Sequence, residues 1–227
     1  MALLFTIALI AKGVRAGSII TNIANIRYSI NSQSYQIQSN IDSFVVDRVI
    51  DIKSSWQDSK AVEVSPNETN RVLTFLVSNL GNSDENISLN KFQESNSTFN
   101  LSNIRLYIDT NNNGIFDKND TLTSSIALKP DVSKELFIVS DIGDVNGTYS
   151  FASITAKVKD AKDSGADRKD IVDVVIRKAQ TKSTGAYKLR DYHLVVNKSA
   201  NILSADNRVH TGKLNHLKST IFYLFSI

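Results

Sequence analysis

The chain of 227 residues has no cysteine, which excludes disulfides, thiolate metal sites and cysteine nucleophiles. An exported domain without disulfides needs another staple, so a bound ion is the first thing to look for. Histidine is scarce: His193, His210 and His216 all lie near the C-terminus and share no metal-binding spacing with carboxylates. The nine glycines build neither a phosphate loop nor a dinucleotide fingerprint. The G-x-S-x-G turn of a serine nucleophile is missing. Asp141 and Asp144 stand close together but read as a turn rather than as a pair of glycosidase carboxylates. The chain is therefore expected to be non-enzymatic.

Long hydrophobic runs are missing too. Ala2 to Ala11 is an apolar stretch of about ten residues, too short to span a bilayer. Val14-Arg15-Ala16 follows with a small-x-small cleavage pattern, so residues 1–16 read as a secretory signal peptide. No lysine or arginine precedes the run. A misplaced start codon accounts for that, and a buried N-terminal helix is the alternative. The net charge of +3 is too small to point to nucleic acid. It is unevenly spread: residues 157–227 hold 14 Lys/Arg against 7 Asp/Glu, the remainder 12 against 16. That basic third reads as a solvated surface rather than as a site for anionic glycolipid or phosphate.

What is present centres on Asp109-Thr110-Asn111-Asn112-Asn113-Gly114-Ile115-Phe116-Asp117-Lys118-Asn119-Asp120. Oxygen-bearing side chains fall at loop positions 1, 3, 5, 9 and 12 with glycine at 6, the spacing of an EF-hand calcium loop. Asp109, Asn111, Asn113, Asp117 and Asp120 would offer side-chain oxygens and Ile115 its carbonyl. Gly114 permits the sharp reversal, because a residue without Cβ tolerates positive φ. The closing residue is Asp rather than Glu, and two amides replace carboxylates. Affinity is therefore expected at the weak end, about 10⁻⁴–10⁻³ M. The alternative is an Asn/Asp-rich turn that holds nothing. Ile104 to Ile108 alternates as a strand, so the loop is expected between strands rather than helices.

The rest of the chain has period-two patterning. Ala24, Ile26, Tyr28 and Ile30 share a face, Asn31-Ser32-Gln33-Ser34 is a turn, and Tyr35 to Ile52 is a second extended run. Arg48 interrupts the apolar face of Phe44, Val46, Ile50 and Ile52, which suggests that the chain changes sheet near Asp47-Arg48. Trp56 is expected to anchor the core. Leu73, Phe75 and Val77 alternate in the clearest strand, which ends at Gly81-Asn82. Further strands are expected at 99–101, 104–108, 122–126, 136–139, 149–158, 171–176 and 192–203. Lys157 to Asp170 reads as a surface loop. Strand spacing of about ten residues points to a sandwich or barrel. Asn-x-Ser/Thr triplets at Asn67, Asn86, Asn96 and Asn146 are taken as chance in an asparagine-rich chain.

Several of these pieces, in this order, resemble one family: Ile20-Thr21-Asn22-Ile23-Ala24, Val45-Val46-Asp47-Arg48, Asn70 to Asn79 with Gly81-Asn82, and Leu106 to Asp120. They are similar to secreted bacterial surface proteins carrying repeats of the domain once catalogued as domain of unknown function eleven. The resemblance covers about residues 17–203 and implies an immunoglobulin-like antiparallel β-sandwich with a role in the envelope or adhesion. It maps the family's Asp/Asn loop onto Asp109, Asn111, Asn113, Asp117 and Asp120. The expected organisation is a signal peptide at 1–16, a sandwich with its calcium loop at 17–196, and a truncated second repeat or irregular tail at 197–227. Expected partners are calcium, envelope proteins, neighbouring repeats or surface glycans, at a secreted or outer-surface location. A calcium-dependent carbohydrate-binding module, with Tyr107, Phe116 and Tyr149 as an aromatic platform, is the alternative function.

Overall fold

The computed structural model describes residues 13–144, 147–165 and 168–190, together with the backbone of residues 202–203 and 209–210. Most of the expected signal peptide, the extended run from Tyr192, His193, His216, Asn146 and the apolar end at 221–225 lie outside the described residues. The chain divides after Arg190. The second unit shows an antiparallel pair of short strands, Ile202–Leu203 with Val209–His210.

The first unit is built from fifteen strands, with no helix among the described residues. In chain order they are β1 (Ile19–Asn22), β2 (Asn25–Ile30), β3 (Gln33–Gln38), β4 (Asp42–Val45) and β5 (Arg48–Trp56). Next come β6 (Val62–Val64), β7 (Arg71–Asn79), β8 (Glu85–Gln93), β9 (Leu101–Ile108) and β10 (Thr121–Leu122). Last are β11 (Ser125–Leu128), β12 (Ser133–Ile142), β13 (Tyr149–Val158), β14 (Val174–Lys178) and β15 (Gln180–Leu189).

Two sheets face each other, one ordered β10-β9-β12-β7-β5-β14 and the other β11-β8-β13-β15-β6. Alternation decides the core, because successive side chains on a strand point to opposite faces. Ile50, Ile52, Leu73, Phe75, Leu136 and Ile138 point inward from the first sheet to meet Ile87, Ile154 and Tyr187 of the second, all at 0% exposure. Each contributes roughly 1.5–3 kcal/mol by leaving water. The molecule is an all-β sandwich.

The pairing departs from a purely antiparallel pattern in two places. β14 runs parallel to β5, and β6 parallel to β15. Parallel neighbours need a long crossover. β5 and β14 are separated in the chain by β6 to β13, and the step from β13 to β14 passes from one sheet to the edge of the other. The expected run from Tyr35 to Ile52 is broken into β3, β4 and β5, and the change of sheet falls between Val45 and Arg48, where Arg48 anticipated it. The turn after β2 is tighter than expected, with only Asn31 and Ser32 outside the ladder, both at positive φ (46° and 65°). That is the two-residue hairpin geometry whose twist matches the strands. Trp56 sits at the rim of the core, half-buried, and its indole N–H donates to Asp58 at 2.5 Å. Asp141 belongs to β12 rather than to a turn; it accepts from the Asn70 N–H and the Asn103 amide.

Tyr187 crosses from one sheet to the other. Its phenol donates to the Arg71 carbonyl at 2.9 Å, and burial pushes its pKa up. Tyr187→Phe keeps the ring and removes one hydrogen bond to a carbonyl that also stands in the β7–β12 ladder opposite Ser140, so it is expected to cost about 0.5–1.5 kcal/mol. A chemical denaturation curve reads this as a lower midpoint with unchanged slope.

Candidate metal centre

The Asp109–Asp120 loop closes a hairpin between β9 and β10, whose register puts Thr121 opposite Ile108 and Leu122 opposite Tyr107. Its flanks are therefore strands, as the alternation at 104–108 predicts. Asp109 and Asp120 stand at the two ends of the loop and are 2% and 8% exposed. Asp117 is half-buried, while Asn111, Asn113 and the side chain of Ile115 face solvent.

A chain of short-range hydrogen bonds winds the loop. Asp109 accepts the Gly114 N–H at 2.9 Å and the Asn113 N–H at 3.3 Å. Asn111 Oδ1 accepts the Asn113 N–H at 3.3 Å, and Asn113 Oδ1 accepts the Ile115 N–H at 2.9 Å. Asp120 accepts the Asp117 N–H at 2.8 Å and the Thr110 N–H at 3.2 Å. Gly114 has φ 72° and Asn112 φ 56°. The reversal expected at position 6 is thus made by two left-handed residues, and glycine occupies the one directly above the Asp109 carboxylate.

Asp117 gathers both amides. Its Oδ2 accepts Asn111 Nδ2 at 3.1 Å and Asn113 Nδ2 at 2.9 Å, and its Oδ1 accepts the Asn119 N–H at 2.7 Å. The Asn119 N–H, and after it the two amides, hold its pKa below the usual carboxylate range. A depressed folded pKa means stability present above the unfolded value and lost as pH falls through the folded one. Acid therefore loosens this bend.

The donors are all oxygens, which suits a hard divalent cation. Among the described residues no ion pair reaches Asp109, Asp117 or Asp120. The three carboxylates of the loop thus accept N–H groups and form no ion pair. The amide oxygens of Asn111 and Asn113 each keep a second lone pair. Convergence is incomplete, however: among the described residues no three His, Cys, Asp or Glu side chains are grouped to hold an ion. The set fits calcium in chemistry, and an entering ion would compete with the amide donors now on Asp117. That competition is a physical reason for weak affinity.

Two neighbours were not foreseen. Lys134 Nζ donates to Asn112 Oδ1 and, at 3.5 Å, to the Asp109 carbonyl. Glu135 accepts the Asp109 N–H on its carbonyl at 3.1 Å, and its carboxylate lies 3.3 Å from where a Cβ on Gly114 would sit. Both come from β12 through its pairing with β9, and no local signal in the sequence links them to the loop. Phe116 folds the loop back onto the outer face of the sheet, 4.8 Å from the Tyr107 ring centroid and 6.0 Å from that of Phe137.

The expected three-ring platform is not assembled. Tyr107 and Phe116 meet at a tilt of 57° on one sheet, whereas Tyr149 stacks on Phe151 in the other.

No protein-family model matches the chain, and neither does any curated protein. Among solved structures it is similar to an Escherichia coli alpha-2-macroglobulin fragment running from domain MG7 to the C-terminus. That likeness has 12% identity and a TM-score of 0.34 over 63% of this chain and 17% of the other. The E. coli chaperone DraB is similar at 17% identity and a TM-score of 0.32, over 64% of this chain and 57% of that one. PapD-like domain 7 of human CEP192 is similar at 9% identity and a TM-score of 0.27, over 85% and 99%. At such scores the likenesses add nothing to the topology described above. No helix among the described residues is long and apolar enough to cross a membrane.

Proposed function

We propose that this chain is a non-enzymatic structural or adhesion module, secreted or displayed on the outer cell surface, and stiffened by one calcium ion in the Asp109–Asp120 loop. The observation that carries the reading is the loop itself. Five oxygen-bearing side chains are wound into one bend, and among the described residues its three carboxylates form no ion pair, Lys134 reaching the Asp109 carbonyl and the Asn112 amide instead. Phe116 ties that bend to the sheet, so an ion holding the loop would also hold β9 and β10. The sheet order supports an immunoglobulin-like sandwich: β5-β7-β12-β9 faces β8-β13-β15, in the manner of the A-B-E-D and C-F-G sheets. The resemblance to surface proteins with repeats of the domain once called domain of unknown function eleven points the same way. Envelope proteins, neighbouring repeats and surface glycans are the partners such a module would meet.

Thermal melting with calcium and with chelator tests the stiffening. A free calcium concentration about ten times Kd should contribute roughly 1.4 kcal/mol, which for a domain of this size raises Tm by about 3–5 °C. Asp109→Ala and the milder Asp117→Asn should each lose that response. A wild-type Tm that ignores calcium would overturn the reading.

A further inference from the structure

Half of the large apolar side chains left exposed among the described residues fall between Ile19 and Phe44. Most belong to the β2–β3 hairpin, every residue of which is exposed and none of which joins the core. Its register places Ile26 opposite Ile37 and Tyr28 opposite Tyr35, with Ile30 next along. Directly opposed residues share a face, so these five side chains form one surface with Gln33, which stands opposite Ile30 and is its single polar member. Asn25, Arg27, Ser29, Ser34, Gln36 and Gln38 form the polar reverse. The two tyrosine rings stack at 5.3 Å in the middle of the apolar face.

An isolated two-stranded hairpin is marginal in water and gains stability when its apolar face is covered. We propose that this hairpin is a dimerisation arm whose apolar face packs against the same face of a second copy of the chain. The face is uncharged and centred on the tyrosine stack with isoleucine on either side. Half a turn about an axis in the contact plane and across the strands therefore sets Tyr28 on Tyr28, Tyr35 on Tyr35 and Ile26 on Ile30, as an isologous contact requires, and leaves Ile37 against the aliphatic stem of Gln33. Exposures of 61%, 39%, 54%, 43% and 53% for Ile26, Tyr28, Ile30, Tyr35 and Ile37 leave roughly 500 Å² per copy. Two such faces would bury at most about 1,000 Å², the size of a weak, reversible interface. The inference is independent of calcium, because the arm shares no residue with the Asp109–Asp120 loop.

Sedimentation equilibrium of the full chain tests it. The wild type should reach twice the mass of one chain as concentration rises through the micromolar range. Ile26→Lys/Ile37→Lys should remain monomeric while the sandwich melts at an unchanged temperature. The cysteine-free background allows a second measurement by oxidative trapping. Tyr28→Cys, at the centre of the apolar face, should give a disulfide-linked dimer, and Arg27→Cys, on the polar face, should not. A wild type that stays monomeric, a double-lysine variant that stays dimeric, or equal trapping of the two cysteine variants would each overturn the proposal.

Discussion

Arg48→Ala is expected to remove about 3–5 kcal/mol of folding stability, because it strands a buried carboxylate. Arg48 donates from Nε to Glu85 Oε1 at 3.0 Å and from its terminal nitrogen to Oε2 at 2.5 Å, and the Glu85 side chain is 0% exposed. Arg48 also reaches Ser83 Oγ at 3.2 Å and the Asp160 carbonyl at 3.2 Å, so two segments, around Ser83–Glu85 and at Asp160, converge on one guanidinium. Glu85 raises the Arg48 pKa further, so the arginine stays charged at every accessible pH. Removing both charges together is another matter. Arg48→Met with Glu85→Leu should recover most of the loss, since a buried pair can be replaced by apolar side chains of similar volume at little cost. Urea denaturation of the two singles and the double reads this as a coupling energy. Two singles that each cost under about 1 kcal/mol would mean that the pair behaves as an exposed surface bridge.

Gly81→Ala comes next, with an expected cost of about 3 kcal/mol, at the upper end of the range for overpacking. A Cβ on Gly81 would lie 2.2 Å from the Val49 carbonyl oxygen, and that atom belongs to backbone with little room to yield. The close approach is forced by the ladder beside β5. Leu80 N–H donates to the Asp51 carbonyl at 2.7 Å, Asn82 Oδ1 accepts the Val49 N–H at 2.7 Å, and Gly81 N–H donates to Asn79 Oδ1 at 3.0 Å. An alanine there must push β5 away from this turn and stretch the two bonds that join them, Leu80 to Asp51 and Val49 to Asn82. The expected signature is a lower denaturation midpoint together with faster amide exchange at Val49. Unchanged exchange at Val49 would show that the turn yields without cost.

At these two sites part of the structure is written in the local sequence and part is not. Gly81-Asn82 is visible as a turn, yet its contact with Val49 spans more than thirty positions and leaves no local trace. Arg48 stands out as a charge on an apolar strand face, and its partner Glu85 lies on β8, which no expected strand covered. β7 is legible because Leu73, Phe75 and Val77 recur at every second position, β13 because Ile154 stands between Ser153 and Thr155, and β12 because Leu136-Phe137-Ile138-Val139 is a short continuous apolar run. β15 is not, because Thr181, Ser183 and Gly185 occupy the inward face that apolar residues usually mark, leaving Tyr187 and the terminal Leu189 to signal it. The parallel pairings of β14 and β6 depend on crossovers rather than on any residue pattern. The calcium loop is legible for the opposite reason: its bonds join residues two to ten positions apart, so spacing alone encodes them. Lys134 and Glu135 reach it only through sheet register.

A calcium titration followed at the Gly114 amide tests the central claim most directly, because that N–H rests on Asp109 and must respond to an ion bound there. The account predicts a saturable one-to-one shift with half-saturation at about 10⁻⁴–10⁻³ M, absent in Asp109→Ala. A Gly114 signal unmoved up to roughly 10 mM calcium, an order of magnitude beyond the weakest sites of this kind, would contradict it.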